Sequence, residues 1–229
     1  MKVVSGIVSK FGQLVIEAEN TIRDSIANQQ VPDEPSITNR FLQQLETTIN
    51  RSDQMNGIRF RTRTLSSLGP NAEEKEVGAD FIAVINIQLA GFSVSKGFLC
   101  QAKRVGRGVN VDHAERRRRA GVGFDSANEL NRLKVQVNKM LDISPDSYVL
   151  VYKNTGFIFV PALSISGIDY SDDGNYIYGK NTRLFFQEFL MCFIGDHRLG
   201  AIDPSTLAIL AKETKSRYGI IFQLRKGEE

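Results

Sequence analysis

The chain has few of the residues that build covalent or metal frameworks. Its only cysteines, Cys100 and Cys192, are far apart and have neither a second cysteine nor a histidine at zinc-ligand spacing. That excludes a disulfide framework and a zinc site, and both thiols are expected to be buried apolar residues. The two histidines, His113 and His197, stand alone and are assigned no catalytic role. Long hydrophobic runs are also missing. The stretches from Phe157 to Ile168 and from Leu184 to Ile194 are broken by polar residues well short of the roughly 20 that a membrane span needs. No transmembrane helix is expected, and no membrane partner. Met1 to Gly6 lacks the apolar core and cleavage site of a secretory signal, so the expected location is cytoplasmic. Gly106-Arg107-Gly108 and Gly121-Val122-Gly123 lack the strand-to-helix setting and closing Lys-Ser/Thr of a phosphate-binding loop, which excludes a nucleotide hydrolase of that type. There is no internal repeat.

What is present is the composition of a globular protein: 229 residues, 41% hydrophobic and 24% charged, enough for one substantial core. The formal net charge is only +3, but the excess is concentrated between Lys103 and Arg119. From Ile7 to Ala27, apolar residues recur at steps of three and four, the period of one helix face. A second helix is expected after Pro35, with Ser36 as its N-cap, Glu34 at its entrance and Phe41, Leu42, Leu45 and Ile49 as its apolar stripe. Ile58 to Leu65 alternates with Arg59, Arg61 and Arg63, which predicts a half-exposed strand whose arginines line a solvated face.

Asp80 to Leu89 and Gly97 to Arg104 read as two strands of a hairpin joined by a long connection, Ala90 to Lys96. Gly106 to Gly123 is rich in Gly and Arg and reads as a mobile basic loop. Ser126 or Asn128 caps a helix carrying Leu130, Leu133, Val137 and Leu141, and Ser147 to Tyr152 follows as a buried strand that Gly156 to Val160 can join. Two further helices are expected at Leu184 to Ile194 and Pro204 to Lys215, with Ile220 to Leu224 closing the sheet. This order predicts an α/β fold, a mixed central sheet flanked by helices.

Gly78-Ala79-Asp80-Phe81, then the hairpin, then Phe98-Leu99-Cys100-Gln101-Ala102-Lys103 resembles the PD-(D/E)XK phosphodiesterase superfamily, in its variant with Gln-x-Lys in place of the second acid. The resemblance covers roughly residues 34–152. It implies a restriction-endonuclease-like domain, with residues 1–30 as an N-terminal helical extension and 153–229 as a C-terminal α/β completion. It also implies a Mg²⁺ or Mn²⁺ cofactor and a nucleic-acid substrate, DNA in preference to RNA, in bacterial restriction or anti-phage defence. Glu34, Asp80, Gln101 and Lys103 match the family's catalytic positions, with Glu34, Asp80 and Gln101 as metal ligands. Glu76, two residues before Gly78, is a rival first acid.

The chemistry suits those residue types. Phosphodiester hydrolysis needs an activated water and relief of charge on the phosphoryl oxygens, and a hard cation held by carboxylates supplies both. Residues i and i+2 of a strand share a face, so Gln101 and Lys103 project together, next to an Asp80 expected at a solvent-accessible strand end. Lys103 would orient the water and offset phosphate charge. Arg104, Arg107 and the run Arg116, Arg117, Arg118 and Arg119 are candidate contacts to a phosphate backbone, and Gln136 is a polar candidate on the helix after the hairpin. Two rival readings stand beside a nuclease. One is a non-catalytic nucleic-acid-binding or assembly module; the other is a subunit recruited by a protein partner or a second copy through its N-terminal helix.

Overall fold

The heptad-like spacing of Phe11, Leu14, Val15, Ala18 and Ile22 gives the first helix one continuous apolar stripe, and that stripe is buried to its full length. The computed structural model describes residues 2–31, 33–54, 57–66, 79–104, 109–112, 121–124, 126–153, 155–169 and 177–227. In chain order the elements are α1 (Lys2–Ala27), α2 (Glu34–Asn50), β1 (Ile58–Ser66), β2 (Phe81–Leu89), β3 (Phe92–Arg104), β4 (Val109–Asp112), β5 (Gly121–Phe124), α3 (Ala127–Ile143), β6 (Ser147–Tyr152) and β7 (Ile158–Pro161). They continue with α4 (Ala162–Ser166), β8 (Ile177–Tyr178), β9 (Lys180–Asn181), α5 (Thr182–Leu190), α6 (Pro204–Glu213) and β10 (Tyr218–Lys226). The expected α/β class is observed: a mixed seven-stranded sheet, ordered β1-β10-β2-β3-β6-β7-β9, is flanked by helices on both faces, and β4, β5 and β8 form a small second sheet.

Strand alternation divides the interior. Phe81, Ala83 and Ile85 of β2 and Phe98, Cys100 and Ala102 of β3 face a core built with α1, α2 and α5. Ile82, Val84 and Leu99 face a second core built with α3, α4 and α6. Strands covered on both sides read as near-continuous apolar runs, and Phe81 to Ile87 is buried without a break, its one polar member, Asn86, donating to the Ala201 carbonyl at 3.2 Å. The first core is aromatic. Phe98 sits at its centre, its ring centroid 5.0 Å from that of Phe185 and 4.9 Å from that of Phe189, both edge-on, the arrangement aromatic quadrupoles favour.

Several expectations need correction. Ile220 to Leu224 does not close the sheet: β10 lies inside it, antiparallel to β1 and parallel to β2. Its Ile220, Ile221 and Phe222 are buried on alternating faces, which only an interior strand permits. The hairpin connection is short. Leu89 pairs with Phe92 across the two residues Ala90 and Gly91, and Gly91 adopts φ +76°, open to glycine without a Cβ clash. Phe92, Val94 and Lys96 alternate with Ser93 and Ser95, so β3 starts five residues earlier than its apolar part suggests. Asp33, not Ser36, caps α2, its carboxylate accepting from the Ser36 backbone N–H at 2.8 Å. Within the stretch read as a mobile loop, Val109–Asp112 pairs with Gly121–Phe124. Cys100 is buried, but Cys192 is exposed and holds a left-handed φ of +67° where α5 ends.

Because Phe98 touches rings from both neighbouring strands and from α5, its truncation leaves a cavity that no neighbour can fill. Phe98→Ala is expected to cost about 3–5 kcal/mol, read from denaturant unfolding; a loss under about 1 kcal/mol would mean the ring cluster is not close-packed.

Candidate metal centre

Asp80 is fixed before its side chain is considered. Its backbone N–H donates to the Cys100 carbonyl at 2.8 Å, and its own carbonyl accepts from the Tyr218 N–H at 3.0 Å, so β3 and β10 hold it from two sides. The carboxylate then continues the ladder where β2 has no further backbone acceptor. Oδ2 accepts from the Ala102 N–H at 2.7 Å and from Gln101 Nε2 at 2.6 Å. Asp80 is therefore a partly buried cap on β3, not the open strand end expected from the sequence.

Gln101 and Lys103 lie on the same face of β3 as Asp80, as their i, i+2 spacing requires. Gln101 is buried at 5% exposure, and its amide nitrogen has a second acceptor, the Ala102 carbonyl at 3.2 Å. Glu34 arrives from the other layer. As the first residue of α2, in the turn where a carboxylate is favoured, it accepts from the Arg104 N–H at 3.0 Å through Oε1. Its Oε2 lies 3.8 Å from Lys103 Nζ, and both side chains are about one-fifth exposed. Four side chains drawn from α2, the edge of β2 and the end of β3 thus meet at one end of the sheet.

The electrostatics mark the place. Burial pushes Asp80 up to about 6, and the Glu34 charge adds to the rise; the Ala102 N–H and the Lys103 and Arg217 charges act against it. Burial is the main cause, and the Lys103 and Arg217 cations face the same carboxylate as Glu34 does. The residue types are ones a hard divalent ion takes, although Glu34 already meets the Arg104 N–H through Oε1 and Lys103 through Oε2. Asp80 Oδ1 accepts no hydrogen bond from the described residues, and two carboxylates with water and a substrate phosphate are what Mg²⁺ prefers. Gln101 donates to Asp80 in this arrangement, and ligating an ion through its amide oxygen would require the amide to turn over. Among the described residues no three His, Cys, Asp or Glu side chains cluster as a complete cage.

The remaining candidates are placed differently. Arg104 reaches back toward the Val31 carbonyl, Nη1 to oxygen 3.5 Å. Gln136 is half-buried on α3 and makes no hydrogen bond to the four residues above. Glu76, Arg107 and Arg116 to Arg119 lie outside the described residues. Sequence reasoning missed Arg217 and Tyr218, since only a parallel neighbour far along the chain brings them beside Asp80. No protein-family model matches the chain, no curated protein is significantly similar to it in sequence, and no solved structure is significantly similar to it in fold.

The raised Asp80 fixes the sign of a pH dependence. The folded chain holds this proton more tightly than the unfolded one, so the stabilisation is complete below the ordinary value of 3.8 and is lost as pH rises through about 6. Asp80→Asn keeps an acceptor for Ala102 and removes the charge. It is expected to raise Tm relative to wild type above pH 6 and not at pH 4, and to abolish any Tm gain from Mg²⁺ or Mn²⁺. Equal melting curves with and without metal for wild type would count against the cation site.

Proposed function

We propose that the chain is a metal-dependent phosphodiesterase, an endonuclease acting on DNA in preference to RNA, related to the PD-(D/E)XK nucleases. The observation that carries this reading is that the four residues the motif singles out form two adjacent pairs, Gln101 with Asp80 at 2.6 Å and Lys103 with Glu34 at 3.8 Å, with the Lys103 and Glu34 charges acting on Asp80. When bound, a hard divalent ion supplies Lewis-acid stabilisation of the phosphoryl oxygens and a more acidic water. Asp80 and Glu34 would hold it. Gln101 keeps the Asp80 carboxylate oriented by donating to Oδ2. Lys103, steadied by Glu34, would orient the attacking water and offset charge gathering on the phosphate. A setting in restriction or anti-phage defence follows from the resemblance alone.

One observation favours a second reading, a non-catalytic nucleic-acid-binding module. Each of the four side chains also has a structural partner, most plainly the Asp80 cap on Ala102, and a fold that had lost its chemistry would keep such contacts. Activity separates the two.

Wild-type protein incubated with plasmid DNA and single-stranded RNA in Mg²⁺ or Mn²⁺ is expected to cleave, with DNA the faster substrate. Asp80→Asn should remove cleavage, and Lys103→Met should lower turnover by about a hundredfold or more. Gln101→Glu puts a carboxylate against Oδ2 of Asp80, so it should melt lower without metal and regain stability with it, cleaving at a lower Mg²⁺ concentration. A wild-type rate for Asp80→Asn at saturating metal would end the nuclease assignment.

A further inference from the structure

At the far end of the same sheet face, the alternation of β1 places Arg59, Arg61 and Arg63 together, and the antiparallel register puts Arg225 directly opposite Arg59 and Gln223 opposite Arg61. All four arginines are exposed. Arg63 is paired with Glu46 at 3.6 Å, while Arg59, Arg61, Arg225 and Lys226 have no ion pair among the described residues. Like charges directly opposite one another across a ladder are destabilising, and here nothing described offsets them. The surface is also concave. A cavity of about 110 Å³ lined by Arg59, Arg61, Gln223, Arg225 and Lys226 runs into one of about 420 Å³ that shares Arg59, Arg61 and Gln223 and reaches Arg63 and Pro204.

We infer that this groove is a second nucleic-acid site, binding a strand through consecutive phosphates remote from the candidate metal centre. Its shape selects a linear polyanion over a single small one. From Arg59 to Arg63 the groove runs four residues, about 13 Å at the rise of a strand, with a guanidinium every second residue. Arginine suits the task because its planar fork meets phosphate oxygens in pairs. The metal centre lies at the start of β2, whereas Arg225 pairs with Gln88 near its end, about 26 Å along the strand. The site rests on nucleic acid being the ligand of this protein, and it would hold the substrate at the end of the sheet away from the candidate metal centre.

The test is binding without chemistry. In EDTA, anisotropy of a labelled duplex and of the matching single strand is followed for wild type, for Arg59→Gln/Arg61→Gln/Arg225→Gln and for the corresponding triple Lys variant. Losing three phosphate contacts should flatten the slope of log K against log salt on the duplex by about 2.7, at about 0.9 per contact, and weaken binding at least about tenfold. The triple Lys variant should keep most of the slope. The triple Gln variant should melt no lower than wild type, since a like-charge pair is removed, which excludes misfolding as the cause. An unchanged slope for the triple Gln variant overturns the site. So does a groove that takes only small anions, seen as a groove-dependent Tm gain with inorganic pyrophosphate and no binding of either nucleic acid. Binding in EDTA and cleavage with metal are separate readouts, so a failed groove leaves the nuclease reading standing, and failed cleavage leaves the groove standing.

Discussion

Three strands are tied together at one residue. Asp80 donates to β3 and accepts from β10 through its backbone, and its carboxylate takes the Ala102 N–H that would otherwise be left without an acceptor. A buried unsatisfied N–H costs about 1–3 kcal/mol, so the position needs an acceptor whatever the protein does. What the fold does not need is a charge there. An amide would cap β3 equally well, yet the chain keeps a carboxylate lifted to about 6 by its surroundings, and it places a second carboxylate, Glu34, within reach of the same Lys103. The carboxylate is therefore less stable charged than neutral where it stands, beside a lysine and a glutamine.

Periodicity made much of this fold legible. The stripes of α1, α2 and α3, the alternation of β1 and the i, i+2 geometry of Gln101 and Lys103 follow from local spacing, and the structure has them. Legibility ended where contacts become long-range. The sequence of β10 reads as a strand, but its insertion between β1 and β2 depends on a parallel pairing with residues more than 130 positions earlier, for which a single sequence carries no signal. The start of β3 was hidden for a different reason. Serines at alternate positions look like loop composition, though Phe92, Val94 and Lys96 keep the strand period between them. At the site, the residue types and spacing were readable from the motif, but the Gln101 to Asp80 hydrogen bond was not. Its direction depends on which amide atom faces two acceptors, and that is a property of the assembled strands.

Lys96 shows how firmly the rest of β3 is held. Its side chain is 1% exposed, with its ammonium donating to the Ile194 carbonyl and lying 5.6 Å from the centre of the Phe189 ring. Burial lowers its pKa, the direction expected of a desolvated cation. Together with the pairing of Gly97 and Asp196, this ties the segment after α5 to the middle of the hairpin. The C-terminal third therefore does more than complete the sheet: it braces the middle of β3 through Ile194 and Asp196 and holds Asp80, at the start of β2, through Tyr218.

The two faces of the sheet divide the work. One is closed by aromatic rings from α1, α2 and α5 and has no polar opening near its centre. The other is covered only in part, by α3, α4 and α6, and its uncovered ends are where charge collects: carboxylates with a lysine beside Asp80, and arginines beside Gln223. The balance differs between them: beside Asp80, carboxylates and cations meet, whereas Arg59 and Arg225 stand directly opposite one another. The same strands, β2 and β10, run between the two ends and are buried along their middles. Their rigidity is what allows charges that repel their own neighbours to be kept in place without a ligand.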